Sequence, residues 1–503
     1  MKCAKSIMAM TMALAISANT AVEAKQKEMF EPNWESLTKY EVPEWWQNTK
    51  FGIYFHWGPY SVPGYKEWYS HWMYLPEKLP KITQFHDLVF GGAENFGYKD
   101  FIPMFTGEKF DANEWAKLFK DAGAQFAGPC AEHAEGFAMW DTDRTRWNSV
   151  DMGPGIDVVG EMEKAVKKHG MKYIITYHRQ WLYAWFPTWD ERYDTSDPQY
   201  ADLYGPKVPD GTFDIGGIRN FEADELATEE FSKEWYDRLD ELMKMYDPDI
   251  IWFDNKVSII DPKYRAQFLA DFYNDGIKRG KEVVCTYKFD DFKVGSAVLD
   301  LERARMSEKK DFNWLTDDSM DWEAWCYNIN PDLKDTNRLL DFLVDVVSKN
   351  GAVLLNVTPT PTGVIPRAVE QRLREMGAWL KINGEAIYDT RPWVIYGEGP
   401  QEVIEGHLAE HMTKDAVAED IRFTVNGDQL YATALGKPDS GKLIIKSLAT
   451  GAGYLTQPIK DVQMLGTKEK ISFEQRASGL EIIFPAELPC DHAFVFKIIT
   501  SKR

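Results

Sequence analysis

The stretch Met245-Tyr-Asp-Pro-Asp-Ile-Ile-Trp-Phe-Asp-Asn255 decides the fold. Pro248 closes the element before it, because proline cannot continue a helix and biases its predecessor towards extended geometry. Ile250, Ile251, Trp252 and Phe253 then form a short apolar run, the pattern of a strand buried on both faces. The run ends in Asp254. A carboxylate at the C-terminal end of a buried strand is poorly placed for stability and well placed for chemistry at the mouth of a parallel barrel. Taken alone, Asp254 reads equally well as a cap for the next element or the partner of a cation.

Outward from this stretch the same grammar repeats. Glu229 to Met245 has helical periodicity and delivers the chain into the strand; Tyr264 to Ile277 is the helix that follows, stopped by Gly280. Downstream, Glu282 to Tyr287 and Ala297 to Glu302 read as the fifth and sixth strands. Trp314 to Asn330 reads as loop, Thr336 to Lys349 as a helix, Gly351 to Asn356 as the last strand and Pro366 to Ile382 as a closing helix. Upstream, Phe51-Gly-Ile-Tyr-Phe-His-Trp-Gly58 is the first strand, with Glu67-Trp-Tyr69 in the loop beyond it. Residues 75–110 read as an elaborated loop, and the helix that follows starts near Asp111 or Asn113. Ala124 to Gly128 is the second strand and leads to His133. The helix Val158 to His169 precedes the third strand, Met171 to Tyr177, which leads to His178. Residues 185–220 read as a long loop.

Strands alternating with helices over residues 25–388 predict a (β/α)₈-like barrel. No Gly-rich phosphate fingerprint follows the first strand, which counts against a dinucleotide fold. In a barrel, strand C-termini share one face, so His56, His133, His178, Asp254 and Glu302 are expected to converge there. From about Arg391 the pattern changes to short alternating strands with turn signals between them. Residues 389–503 are therefore expected to form an antiparallel β-sandwich that braces the barrel or binds carbohydrate.

Composition narrows the function. The 503-residue chain carries a net charge of −21 with no basic stripe, which argues against nucleic-acid binding. Lys2 and Lys5 precede an apolar run from Ile7 to Ile16 and then Ala21-Val-Glu-Ala24, the layout of a secretory signal over residues 1–24. An exported protein, periplasmic or extracellular, is expected. No later segment is long and apolar enough to span a membrane. Cys130, Cys285, Cys326 and Cys490 have no metal-ligand spacing and read as thiols rather than disulfides. The three histidines come from different strands, an arrangement that suits hydrogen bonds to sugar hydroxyls better than a metal site. No metal or cofactor is expected. Carboxylates and imidazoles at the mouth of an exported barrel suggest glycoside hydrolysis, for which two carboxylates suffice.

The motifs sharpen this. Phe51-Gly-Ile-Tyr-Phe-His-Trp-Gly-Pro-Tyr-Ser-Val-Pro63, Glu67-Trp-Tyr69, Phe105-Thr-Gly-Glu-Lys-Phe-Asp111 and Trp252-Phe-Asp254 belong to one set with Leu354-Leu-Asn-Val-Thr-Pro-Thr-Pro-Thr-Gly-Val-Ile-Pro366 and Ile382-Asn-Gly-Glu-Ala-Ile-Tyr388. The set resembles the α-L-fucosidases of glycoside hydrolase family 29 across nearly the whole chain. The resemblance implies a catalytic barrel followed by a β-sandwich, and retaining exo-hydrolysis of α-L-fucosyl linkages on oligosaccharides or polysaccharides. It implies Asp254 as nucleophile, Trp252 as an aromatic lining the sugar pocket, and His56 and Glu67 as partners of sugar hydroxyls. Trp57, Trp68, His133, Tyr177 and His178, at the same strand mouths, are further candidates for binding. Glu302 is the expected acid/base, with Glu308 and Glu323 as rivals. Its bland alternative is an ion pair with Arg303 or Arg305.

One departure stands out. Where the family usually has Lys-His-His-Asp-Gly-Phe, this chain has Glu132-His-Ala-Glu-Gly-Phe137. His178 is a candidate to fill the space left by Ala134. The same change leaves open an α-L-galactosidase acting on L-galactosylated glycans, and a carbohydrate-binding homologue without catalysis.

Overall fold

Eight parallel strands close into a barrel in sequence order: β1 (Phe51–Phe55), β2 (Phe126–Glu132), β3 (Lys172–Tyr177), β4 (Ile250–Phe253), β5 (Val284–Lys288), β6 (Val298–Asp300), β7 (Trp314–Ser319) and β8 (Gly351–Val357), with β8 returning to β1. The computed structural model describes residues 28–210 and 226–501, so the signal segment expected at 1–24 lies outside the described residues. Alternate residues of each strand serve two cores. Tyr54, Phe126, Ile174, Ile250, Trp252, Val284 and Leu354 pack inside the barrel. Ile53, Phe55, Ile175, Ile251, Phe253 and Leu355 pack outward against the helices. Both faces are dry, which is why these strands read as unbroken apolar runs.

Side-chain caps fix where the helices begin. Asp111, rather than Asn113, caps Ala112–Asp121 by accepting the Glu114 amide at 2.9 Å. Asp157, Thr228, Asp261 and Asp335 do the same for Val158–Lys168, Glu229–Tyr246, Pro262–Lys278 and Thr336–Ser348.

Two loop expectations need correction. Residues 75–110 contain the helix Pro80–Phe90 and the 3-10 helix Tyr98–Met104. The first opens on proline in its first turn and closes on Gly91 at φ +88°, so residues suggesting a loop are in fact helix ends. Trp314 to Asn330 opens with strand β7, hidden by the polar run Thr316-Asp-Asp-Ser319. Those side chains are buried and held: Thr316 Oγ1 donates to Leu301 O at 2.7 Å, and Asp318 pairs with Lys334 at 2.6 Å.

After the helix Arg367–Asn383 the chain forms a sandwich of two antiparallel sheets. One has the order β13 (Ile459–Met464), β16 (Phe494–Thr500), β11 (Gln429–Ala434), β10 (Ile421–Asn426), β9 (Arg391–Glu398). The other is β12 (Lys442–Ile445), β15 (Gly479–Ile483), β14 (Ser472–Arg476). Ile421, Phe423, Ile445, Leu480, Ile482 and Phe496 fill the space between them. Tyr431, Leu435, Ala493 and Val495 instead join the outer core of the barrel, and Trp379 Nε1 donates to Ala493 O at 2.7 Å.

The β5–β6 and β6–β7 connections contain no helix. The segment from Glu405 to Thr413 occupies that side. Leu408 N donates to Glu302 O at 2.7 Å and Glu410 N to Arg303 O at 2.8 Å. The buried Glu410 carboxylate takes Arg305 at 2.7 and 2.6 Å and Arg338 at 2.6 Å. Among the described residues no helix is long and apolar enough to cross a membrane, and Cys130, Cys285, Cys326 and Cys490 are free thiols.

Candidate active site

The strand C-termini open into a cavity of about 810 Å³. His56, Glu67, Trp68, His133, His178, Trp252, Asp254 and Glu302 all line it. Two expected binding residues do not. Trp57 is buried against Phe105, Phe110 and Trp115, with its Nε1 donating to Thr360 O at 2.7 Å. Tyr177 is the last residue of β3 and points outward, onto Trp235 and Phe253. Both follow from alternation: neighbours on a strand face opposite sides, so in each pair only His56 or His178 reaches the cavity. Ala134 is buried in the apolar core and is not part of the cavity wall.

Asp254 and Glu302 meet at Lys288, the last residue of β5. The ammonium is 1% exposed and lies 3.2 Å from Asp254 Oδ1, 3.1 Å from Glu302 Oε2 and 3.1 Å from Asp317 Oδ1. Its Nζ also sits 4.7 Å from the centre of the Trp252 ring. Burial works against this cation, but Asp317, Glu302 and Asp254 outweigh it and hold its pKa well above the ordinary lysine value. Burial raises the Glu302 pKa; Lys288 pulls it back and the Asp254 charge pushes it up again. Glu302 is thus paired with Lys288 rather than with its sequence neighbours. Arg303 donates to the carbonyls of Asp321 and Trp322, and Arg305 is taken by Glu410. Of the rival acids, Glu323 lines a neighbouring hollow and pairs with Lys66 at 2.7 Å, while Glu308 is exposed and does not line the cavity.

Beneath the carboxylates lies a polar floor. Tyr54 Oη donates to Asp317 Oδ2 at 3.0 Å, and Trp252 Nε1 donates to Asp300 Oδ2 at 2.8 Å. Burial and the charge of Asp300 push the Asp317 carboxyl well above the usual range. Burial raises the Asp300 carboxyl as well, while Lys288 pulls it back.

Against the Tyr54 and Trp252 rings the imidazoles form a relay. Asn356 Oδ1 lies 2.9 Å from His56 Nδ1; His56 Nε2 lies 3.2 Å from His178 Nε2; His178 Nδ1 lies 3.3 Å from Cys130 Sγ. One proton order satisfies every atom. His56 Nδ1–H donates to Asn356, His178 Nε2–H donates to His56, and the Cys130 thiol donates to His178. Burial above all, with the Lys288 charge nearby, depresses the pKa values of His56 and His178 well below normal, so both rings are neutral. The trio's ligand atoms lie within 4.8 Å of one another, close enough to take a cation, but hydrogen bonds already occupy them. His133 Nδ1 bonds Glu135 at 2.7 Å, and Glu67 Oε2 accepts the Trp325 amide at 2.9 Å.

The sequence departure at Glu132 has a local cause. Its buried carboxylate pairs with Arg179 and, at 3.1 Å, with Arg238. A charge-reversed pair thus takes the position where the family usually has lysine, while His178 supplies the third imidazole of the cavity.

Lys288, Asp317, Asn356, Trp325 and His407 were not picked out from the sequence. Lys288 sits one residue beyond the expected end of its strand, where the rule that found His178 applies equally. His407 and Leu408 come from the segment that follows β9, far along the chain from the strand ends, and carry no such signal.

Known proteins share both the barrel and the C-terminal domain. The family profile described as alpha-L-fucosidase matches residues 16–385, and that described as alpha-L-fucosidase C-terminal domain matches residues 413–499. The tissue alpha-L-fucosidase of Mus musculus is 30% identical over 486 residues, covering 93% of this chain and 94% of its own. That of Homo sapiens is 29% identical over 499 residues, covering 96% and 94%. The crystal structure of Thermotoga maritima alpha-fucosidase superposes with a TM-score of 0.72 at 29% identity, covering 93% of this chain and 100% of that one. Its complex with fucose superposes at 0.71. On profile, relatives and barrel alike, the chain belongs to the α-L-fucosidases of glycoside hydrolase family 29.

Proposed function

We propose that this enzyme is an exported, retaining exo-α-L-fucosidase in which Asp254 is the nucleophile and Glu302 the acid/base. The observation that carries the reading is Lys288. Its contacts of 3.2 and 3.1 Å to the two carboxylates cap the separation of those two oxygens at 6.3 Å, short of the span an inverting pair needs. Retaining enzymes hold their carboxyls roughly 5–5.5 Å apart, whereas inverting enzymes leave roughly 6.5–9.5 Å for a water.

In the first half-reaction Asp254 attacks the anomeric carbon. The bond to the leaving oxygen breaks and Glu302 gives that oxygen its proton. The raised pKa of Glu302 suits the acid role. Esterification then removes the Asp254 charge that had pushed the Glu302 pKa up. Lys288 still pulls it down, so Glu302 is now poised as a base. It takes a proton from water, the water oxygen bonds the anomeric carbon, and Asp254 leaves as carboxylate. His133 and Glu67, which both line the cavity, offer hydrogen bonds to sugar hydroxyls, the paired imidazoles of His56 and His178 wall the pocket beside them, and the Trp252 ring offers an apolar face.

Fucose is favoured over L-galactose because Ala134 opens no space in the cavity wall. Export rests on the layout of residues 1–24. Turnover of aryl α-L-fucoside and aryl α-L-galactoside by the parent and by Asp254→Asn tests the proposal. Fucoside turnover should dominate and fall by about three orders of magnitude in the variant. Galactoside preference, or full activity of Asp254→Asn, would sink it.

A further inference from the structure

Beyond the sugar pocket, the cavity has a second, apolar wall. Phe289 and Leu408 line it beside His407 and are 50% and 51% exposed. The His407 ring stacks on Phe289, with centroids 3.8 Å apart and planes 20° from parallel. Both Phe289 (φ +51°) and Leu408 (φ +63°) hold left-handed backbone conformations, which are strained for large side chains. Such strain persists where surrounding structure enforces it. Here the Leu408 amide is fixed to Glu302 O, and His407 Nδ1 accepts the Glu302 amide at 3.1 Å. That bond makes Nδ1 the unprotonated nitrogen and leaves Nε2–H as a donor.

The wall therefore stands on the residue that protonates the leaving oxygen. Past Leu408 and Trp325 the cleft continues into a second hollow of about 690 Å³, which these two residues also line, along with Arg303, Trp322 and Lys334. Two half-exposed apolar side chains, an imidazole donor and tryptophans along one cleft match the alternating apolar faces and hydroxyl edges of a pyranose chain.

We propose that Phe289, His407 and Leu408 form the subsite for the leaving group, and that this leaving group is an oligosaccharide whose first pyranose ring lies on them and whose chain runs towards Trp322. The inference rests on the fucosidase reading and extends it: part of the substrate-discriminating surface comes from the connection between β9 and β10 of the sandwich.

α-L-Fucosyl fluoride separates the two ideas, because it fills the sugar pocket and has no leaving sugar. The parent, Phe289→Ala and Leu408→Ala are compared on this fluoride and on the fucosyl oligosaccharide the parent hydrolyses fastest. The ratio of the two kcat/KM values should fall about tenfold in each variant, the effect of losing one contact worth about 1.4 kcal/mol in the transition state. The side chains are half exposed, so the variants fold, and the fluoride rate reports this directly. A ratio within twofold of the parent's in both variants overturns the subsite. So does a parent that cleaves the fluoride but no oligosaccharide. A parent inert on the fluoride overturns the fucosidase reading itself.

Discussion

Lys288 sets the charge state of the site. In the proposed mechanism Glu302 must hold a proton to act as acid, so activity is expected to fall as pH rises through its raised pKa. Lys288 lowers that pKa; without the ammonium it rises further. In Lys288→Met the alkaline limb of the pH–rate profile should therefore move to higher pH, while kcat/KM drops about 100-fold from the loss of a preorganised charge. A limb that stays in place, measured on aryl fucoside, would separate Lys288 from Glu302. At this scale the sequence was partly legible. His56, His178, Asp254 and Glu302 stand where apolar runs end, and a run has a visible end. Trp57 and Tyr177 failed because adjacency on a strand means opposite faces. Asp317 failed because polar residues inside a strand erase the very contrast by which strands are recognised.

Single elements differ in how much their charges matter. Glu410 is buried between Arg305 and Arg338. Glu410→Gln leaves two buried guanidiniums short of an anion and should cost about 3–5 kcal/mol in denaturant unfolding. Glu323→Gln removes an exposed pair with Lys66 and should cost no more than about 1 kcal/mol. Equal effects would mean that the 405–413 segment is not held by its carboxylate. Helix and strand spacing made most elements readable, including all six long helices from Ala112 to Asn383. The helix Pro80–Phe90 was missed because proline and glycine were read as marks of a loop, not as its two ends.

Over the whole molecule, barrel and sandwich are tied by shared core and buried charge. Asp345, on a barrel helix, takes Lys349 at 2.8 Å and Arg422 of β10. Although burial pushes the other way, Lys349, Arg422 and Arg305 depress its pKa far below the usual aspartate value. Its folded pKa lies below its unfolded one, so its contribution to stability is full above about pH 4 and is lost as pH falls below that. Calorimetry should show one unfolding transition for both domains, and Asp345→Asn should flatten the fall in Tm below about pH 4. Two resolved transitions would mean that the domains are independent. The two-domain order was readable from the change in periodicity near Arg391. How the domains join was not, since ion pairs such as Asp345–Arg422 link residues that no local pattern connects.

The placement of His407 has a further consequence, for the order in which the enzyme is finished during synthesis. Chains emerge from the N-terminus, and domains generally fold as units as they appear. Every strand needed to close the barrel is present once Val357 has been made, yet the Glu302 amide gains its imidazole partner only some fifty residues later. A nascent chain can therefore hold a closed barrel with an open, unfinished cleft. The wall beside Glu302 is completed only as the chain enters its last hundred residues, so a ribosome-bound barrel is not yet the mature enzyme.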